Sequence, residues 1–265
     1  PVTCGGDNPK ANTECGFYAA LDVPGFNYRV NLYDELISKQ RQGFILGSET
    51  TSTVSSRGVY KFPVDEKKMA TYKDGQCSSY DVECCGWSNL PDDDMIAQDD
   101  RSFTIGQFIW TGIDYLGEPT PYYSYWPSRS SYFGAVDLAG LPKDRFYLYR
   151  SVWNEKQPTL HLLPHWTWPG REGQQTPVYC YTSYPEAELF VNGQSQGRMK
   201  KDKASRLDRY RLRWNNVVYQ PGELKVVAYD ANGKPAAEQV VRTAGEPHHL
   251  VVQALSLIHI SEPTR

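Results

Sequence analysis

Two hydrophobic periodicities divide the chain. In its first part, short apolar runs alternate with a stretch of helical period. Ala19-Ala20-Leu21-Asp22-Val23 together with Gly25-Phe26-Asn27-Tyr28 predicts a buried strand that runs into a polar end. Asn31 to Gln42 (NLYDELISKQRQ) carries Leu32, Leu36 and Ile37 on one helical face, which predicts an amphipathic helix closed by Gly43. Phe44-Ile45-Leu46-Gly47 predicts a short strand that delivers Ser48-Glu49-Thr50 at its C-terminal end. Phe103 to Trp110 (FTIGQFIW) predicts another buried strand, and Asp144 to Val152 another helix. Strand, helix, strand with short connections is the signature of a parallel sheet. Residues 63–100 read as long polar loops around one helix.

From Thr159 the period changes to two. LHLLP, TPVYCYT, AELFVNG, RYRLRW, ELKVVAYD and AAEQVVRT predict short strands. Asn192-Gly193 and Asn232-Gly233 each follow an alternating run and predict hairpin turns, and Pro221-Gly222 marks a further turn. Six or seven strands in about 90 residues predict a β-sandwich of immunoglobulin type, without the Cys…Trp…Cys pattern of antibody domains. The boundary falls near Trp153 to Pro158. The expected fold class is therefore α/β plus all-β. Leu250 to Ala254 reads as the opening of a further strand. The last run, LSLIHISEPTR, resembles a translated sequencing-adapter remnant, with a strand of a truncated third domain as the alternative. The chain starts at Pro1, so it reads as processed or as a fragment, and it has no basic-then-apolar leader.

Composition narrows the chemistry. Net charge is −3 and no basic stripe occurs, which argues against a nucleic-acid partner. No apolar run approaches about 20 residues, so no membrane span is expected. Aromatic residues are 13% of the chain, nineteen of them Tyr. Tyr and Trp pair an apolar face with a polar edge and suit hydroxylated ligands, although aromatics also favour strands. The cysteines at 4, 15, 77, 84, 85 and 180 read as structural free thiols, with one or two disulfides as the alternative. Zinc-type Cys/His pairs, a P-loop, a dinucleotide fingerprint and a G-x-S-x-G elbow are all missing, so no metal or cofactor is expected. Pro164 between His161 and His165 forbids a regular helix, and both read as surface or packing residues. Asp92-Asp93-Asp94 and Asp99-Asp100 read as a solvated acidic loop, with calcium binding as the alternative.

Glu49 is the sharpest chemical candidate. In parallel α/β barrels the reacting groups gather at the C-terminal ends of strands, and Glu49 stands where a buried strand ends, with a loop carboxylate as the plain alternative. Trp110 holds the matching place on the later strand, as floor of a sugar site or as a core residue, with Asp114 and Glu118 just beyond.

Here a resemblance becomes specific. ILGSETTSTVSSRGVY (Ile45 to Tyr60) resembles the nucleophile motif of glycoside hydrolase family two, and DVPGFNYR (Asp22 to Arg29) the strand before it. GQFIWTGIDYLGEPTPYY (Gly106 to Tyr123) resembles that family's eighth barrel strand and active-site loop. WPSRSSYFGAVDLAGLPKDRFYLYRSVWN (Trp126 to Asn154) resembles its β-galactosidase-like members. The region from His161 through VYCYTSYPEAELFVNGQSQG resembles the sandwich that follows the barrel. The resemblance covers nearly all of residues 1–250. It implies the C-terminal half of a TIM (β/α)8 barrel, strands five to eight, over residues 1–154. An immunoglobulin-like β-sandwich would occupy 155–246, and 247–265 would open a further domain or be a non-native tail.

The resemblance implies a retaining β-glycosidase acting on carbohydrate. Glu49 matches the nucleophile, Tyr28 the tyrosine that orients it, and Trp110 the aromatic base of the sugar subsite. Asn27 and Arg57 lie in the same motifs, and Asp114 and Glu118 in the active-site loop, as further substrate-binding candidates. The family's acid/base is the Glu of an Asn-Glu pair ending the fourth strand. The Asn-Glu pair of this chain, Asn154-Glu155, falls in the linker. The proton donor is thus expected outside the chain, and these 265 residues are expected to be inactive alone. Related β-glucuronidases carry Asn-x-Lys for the substrate carboxylate. The matching Leu141-Pro142-Lys143 keeps Lys but replaces Asn, which favours a neutral sugar, β-galactose, over glucuronide. A β-glucuronidase or β-mannosidase of the same family, or a non-catalytic carbohydrate-binding protein, is the alternative. The family's glycan-degrading members imply an extracytoplasmic site. Oligomeric state is left open.

Overall fold

The computed structural model describes residues 1–126 and 130–253. Its first part runs β1 (Thr3–Gly6), α1 (Pro9–Glu14), β2 (Val23–Asn27), α2 (Tyr33–Leu36), β3 (Ile45–Thr50), the two-residue strands β4 (Lys67–Lys68) and β5 (Glu83–Cys84), α3 (Pro91–Asp99), β6 (Thr104–Ile109) and α4 (Asp144–Trp153). Strands β1, β2, β3 and β6 lie side by side in that order, all parallel. Phe26 of β2 and Ile45 of β3 are fully buried against Tyr18, Tyr33, Leu36 and Ala97, so one face of the sheet is closed by the helical connections. At the centre of the sheet Gly25 is required for packing: a Cβ there would stand 2.6 Å from the carbonyl oxygen of Cys4.

Three expectations are corrected. The helix expected over residues 31–42 is broken into a 3-10 turn (Val30–Leu32), the single turn of α2, and a second 3-10 turn (Ile37–Lys39). Gln40 supplies the reason. Its side-chain Nε2 donates to the Leu36 carbonyl (3.2 Å), the acceptor that an α-helix would give to the Gln40 backbone N–H, which turns to Ile37 instead. Gly43, at φ 74°, closes the segment as expected. The strand expected to be buried over 103–110 is half exposed, with Phe108 64% accessible, because among the described residues β6 is an edge strand paired only to β3.

The third correction concerns the acidic residues. Asp92, Asp93 and Asp94 do not form a solvated loop, whereas Asp99 and Asp100 are exposed. Pro91 starts α3, and the three aspartates fill its first turn, where the helix dipole favours negative charge. Asp92 and Asp94 are fully buried. Asp92 pairs with Arg211, Asp93 with Arg206, and Asp100 with Arg209 at 2.7 Å. These arginines belong to the second part of the chain, so the acidic run is a docking face.

That second part comprises β7 (Leu160–Leu163), β8 (Val178–Thr182), β9 (Glu186–Val191), β10 (Gln194–Lys200), β11 (Arg211–Trp214), β12 (Glu223–Tyr229) and β13 (Pro235–Arg242). Two antiparallel sheets, β10-β9-β12-β13 and β11-β8-β7, enclose one apolar core that includes Trp166, Val178, Leu189, Leu212, Trp214 and Val226. Along β12 the period of two is plain: Leu224, Val226 and Ala228 point inward and are fully buried. Asn192 and Gly193 both take positive φ, 49° and 78°, in the tight turn between β9 and β10. No strand forms over residues 247–253, and the run from 254 to 265 lies outside the described residues.

The two parts meet in one seam. Leu163, Tyr179 and Tyr181 from β7 and β8 pack with Tyr80, Met95, Leu148 and Tyr149. Tyr181 Oη donates to Asp81 Oδ2 (2.8 Å), and burial pushes the Asp81 carboxyl up to about 6. His161 sits at the seam, its Nε2 2.6 Å from Asp144 and its ring stacked on Tyr147, while His165 stacks on Trp168. Both are packing residues, as expected. All six cysteines are free thiols. No helix among the described residues is long and apolar enough to cross a membrane.

Candidate active site

The site is built at the C-terminal ends of β1, β2, β3 and β6. A register shift between Phe26 and Asn27 sets Asn27 opposite Glu49. The chain then turns sharply: Tyr28 adopts φ 55° and its backbone N–H donates to the Glu49 carbonyl (2.7 Å). This unusual backbone carries the buried Tyr28 side chain onto the carboxylate of its neighbour strand. Tyr28 Oη donates to Glu49 Oε1 at 2.6 Å, and Asn27 Nδ2 reaches Oε2 at 3.4 Å. Asn27 is itself oriented by Ser48 Oγ, which donates to its Oδ1 (2.8 Å). With the phenol proton committed to Glu49, Ser52 Oγ, 2.5 Å away, donates to the phenol oxygen. The Ser52 backbone N–H in turn donates to Ser88 Oγ (2.7 Å). Burial, followed by the hydrogen bond to Glu49, raises the Tyr28 phenol well above its ordinary range, so it stays a proton donor at every accessible pH.

Trp110 follows β6. Its backbone N–H donates to the Thr50 carbonyl (2.7 Å), and the Trp110–Thr111 peptide is cis. Its indole Nε1 donates to Tyr115 Oη (3.2 Å), and Tyr115 Oη donates to Glu118. Asn27, Tyr28, Glu49, Trp110 and Glu118 thus line one open cavity of about 390 Å³. Four further residues complete it: Asp7, Arg29, Ser52 and Trp87. Arg29 ties two of them together, donating to the Trp87 carbonyl (2.9 Å) and pairing with Asp7 (3.4 Å). Arg29 and Ser52 stand inside the motifs read from the sequence. Trp87 comes from an irregular loop with no periodic signal, and Asp7 only from the end of β1.

Comparison with known proteins bears on this arrangement. Residues 173–237 match a family model described as a domain of unknown function, DUF4982. Over 256 residues the chain is 40% identical to the beta-galactosidase BoGH2A of Bacteroides ovatus, which covers 93% of this chain and 29% of that protein. It is 39% identical over 165 residues to a putative beta-glucuronidase of Formosa agariphila, covering 60% of this chain and 15% of the relative. Among solved structures, a beta-glycosidase from Bacteroides vulgatus matches with a TM-score of 0.75 at 29% identity, over 94% of this chain and 33% of that one. A glycosyl hydrolase family 2 member from Bacteroides cellulosilyticus matches with a TM-score of 0.64 at 25% identity, over 93% of this chain and 28% of that one. The chain belongs to glycoside hydrolase family 2. It spans a third or less of the length of these relatives.

Two of the residues singled out in this family 2 chain lie away from the Glu49 cavity. Asp114 is buried, accepts from the Gly134 backbone N–H (2.7 Å) and pairs with Lys143 at 2.6 Å. Arg57 pairs with Asp137 at 2.5 Å. Both line a second cavity, whose lining shares no residue with that of the Glu49 cavity. Lys143 is also buried. Besides Asp114, its Nζ donates to the carbonyls of Ser55 (2.8 Å) and Tyr132 (3.2 Å), and burial pushes the ammonium down to about 8. It contributes nothing to the lining of the Glu49 cavity.

Proposed function

We propose that the intact protein is a retaining β-glycosidase that hydrolyses terminal β-D-galactosides through a covalent glycosyl-enzyme on Glu49. The observation that carries this reading is the Tyr28–Glu49 hydrogen bond at the strand ends, in a cavity walled by Trp110. Tyr28 holds Oε1, whereas among the described residues Oε2 has only the long contact from Asn27, so Oε2 is the oxygen left to attack the anomeric carbon. As that bond forms, the bond to the leaving oxygen breaks and the leaving oxygen takes a proton from a second carboxyl, which retaining enzymes hold about 5–5.5 Å from the first. The same group then deprotonates the water that releases the sugar with its configuration kept. We assign this proton donor to a part of the protein outside these residues. The short coverage of the relatives supports that assignment, and with the donor outside these residues the isolated chain is expected to be inactive.

The fold reading follows the same line. A complete barrel takes about 250 residues. We read the parallel order β1-β2-β3-β6 over residues 1–154 as its C-terminal half and residues 155–246 as an immunoglobulin-like sandwich. The exposed Ile105 and Phe108 on the edge strand support a missing neighbour. We place the protein outside the cytoplasm, in the periplasm or medium, by analogy with glycan-degrading members of the family.

Sugar choice rests on Lys143. Relatives include a protein named a putative beta-glucuronidase, but here the lysine is spent on Asp114, which favours an uncharged sugar. Lys143→Met orphans a buried carboxylate and is expected to cost about 3–5 kcal/mol of stability. The ratio of β-galactoside to β-glucuronide hydrolysis on aryl substrates stays unchanged in that variant, because the lysine does not line the Glu49 cavity. Thermal unfolding and an aryl-glycoside panel on the intact protein test both parts. Preference of the wild type for the glucuronide overturns the galactosidase reading.

Tyr28→Phe keeps the ring but removes the donor. A hydrogen bond to a charged group is worth about 1.5–3 kcal/mol, so kcat is expected to fall about 10- to 100-fold. Steady-state kinetics on an aryl β-galactoside measure this, and an unchanged kcat removes Tyr28 from the mechanism.

A further inference from the structure

The second cavity, about 530 Å³, is as well built as the first and has no assigned task. Hydrogen bonds through Tyr115 join residues of its lining to residues of the Glu49 cavity. Tyr115 bonds Trp110 and Glu118 through its hydroxyl, while its backbone N–H donates to Ser131 Oγ (3.1 Å), which donates to Asp114 (3.1 Å) on the other side.

Three features define what fits there. First, its charges are compensated: Arg57 pairs with Asp137, Lys143 with Asp114, and Asp74 with Lys61. A charged ligand would have to break one of these pairs, so an uncharged one is favoured. Second, hydrogen-bonding capacity remains. Arg57 donates to Asp137 through Nε and leaves both Nη groups without a bond among the described residues. The Gln76 backbone is engaged by Asp74 and Tyr122, but its carboxamide has no hydrogen bond among the described residues. Third, an aromatic wall is held in place. Tyr125 is 45% exposed, yet its hydroxyl donates to the Lys73 carbonyl (2.6 Å). Its ring lies so close to Gly75 that a Cβ there would stand 2.9 Å from Tyr125 Cε1. Gly75, at φ 64°, is what lets the ring settle against the backbone. A fixed aromatic face beside unspent amide and guanidinium donors suits the flat apolar face and the hydroxyl rim of a sugar.

We propose that this cavity is a second sugar subsite that binds an uncharged residue of the same glycan whose terminal β-galactoside lies over Glu49. The inference rests on the galactosidase reading above and adds to it a substrate class: neutral oligosaccharides rather than isolated galactosides.

The test uses the intact protein with two substrates, a small aryl β-galactoside and a neutral β-galactosyl oligosaccharide longer than a disaccharide. Tyr125→Ala and Gln76→Ala are each expected to raise KM for the oligosaccharide about tenfold, with kcat held. For the aryl galactoside, kcat/KM is expected to change less than about twofold, because neither side chain lines the Glu49 cavity. Gln76→Ala removes no packing ring and guards against a folding defect in Tyr125→Ala. Equal losses on both substrates, or no loss on either, overturn the subsite. Failure of the wild type to hydrolyse the aryl galactoside in a Glu49-dependent way overturns the galactosidase reading instead, and the subsite with it.

Discussion

Glu49→Gln in the intact protein is expected to lower kcat on an aryl β-galactoside by about four to six orders of magnitude, the scale on which loss of a nucleophile is felt in other covalent enzymes. The substitution is nearly isosteric. A Gln oxygen still accepts the Tyr28 hydrogen bond, and Glu49 is in no ion pair among the described residues. Stability is therefore expected to hold while chemistry fails, because an amide does not form the glycosyl ester. The complementary measurement is positive: a fluorosugar inactivator is expected to add its mass to the peptide that contains Glu49 in the wild type. Asp7 and Glu118 line the same cavity and are the natural competitors. Labelling on either, or kcat within tenfold of wild type in Glu49→Gln, reassigns the nucleophile.

The second large effect is on stability. Arg211 and Asp92 are both fully buried and paired across the seam. Arg211 also lies over the Tyr181 ring, 5.4 Å from its centroid. Arg211→Ala leaves Asp92 buried without its partner and is expected to cost about 3–5 kcal/mol. Replacing both partners by Met is expected to recover most of that, since the penalty lies in the orphaned charge and not in the loss of the attraction. The exposed pair Arg242–Glu223, at 2.7 Å, serves as control: breaking it should cost less than about 1 kcal/mol despite its good geometry. Urea unfolding, with amide exchange at β8 and α3 to localise the change, measures all three. Equal effects for the buried and exposed pairs would show that the seam does not hold the two parts together.

The local grammar of this chain was readable without coordinates wherever one short segment contained the whole signal. The period of two in β12, the Asn-Gly turn after β9 and Gly43 at the end of the helical segment are of that kind. So is the placing of Glu49 at a strand end, since an apolar run followed by polar residues marks its own terminus. Readings that depended on distant partners were the ones that changed. Gln40 breaks the expected helix because its side chain, held also by Thr13, can reach the Leu36 carbonyl. The aspartates of α3 looked solvated because their arginines lie more than a hundred positions away.

The amino-acid sequence alone determined the strand that places Glu49 at its end, the change of period from Thr159 and the family motifs around Tyr28, Glu49 and Trp110. Tertiary structure alone decided which of the candidate residues share a cavity. Asn27, Tyr28, Glu49, Trp110 and Glu118 converge, whereas Arg57 and Asp114 line a second cavity. It also decided that Lys143 is a buried counter-ion. The reason is physical: backbone conformation answers mostly to neighbours within a turn or a strand, while burial and charge pairing are settled by whatever the rest of the chain packs against them.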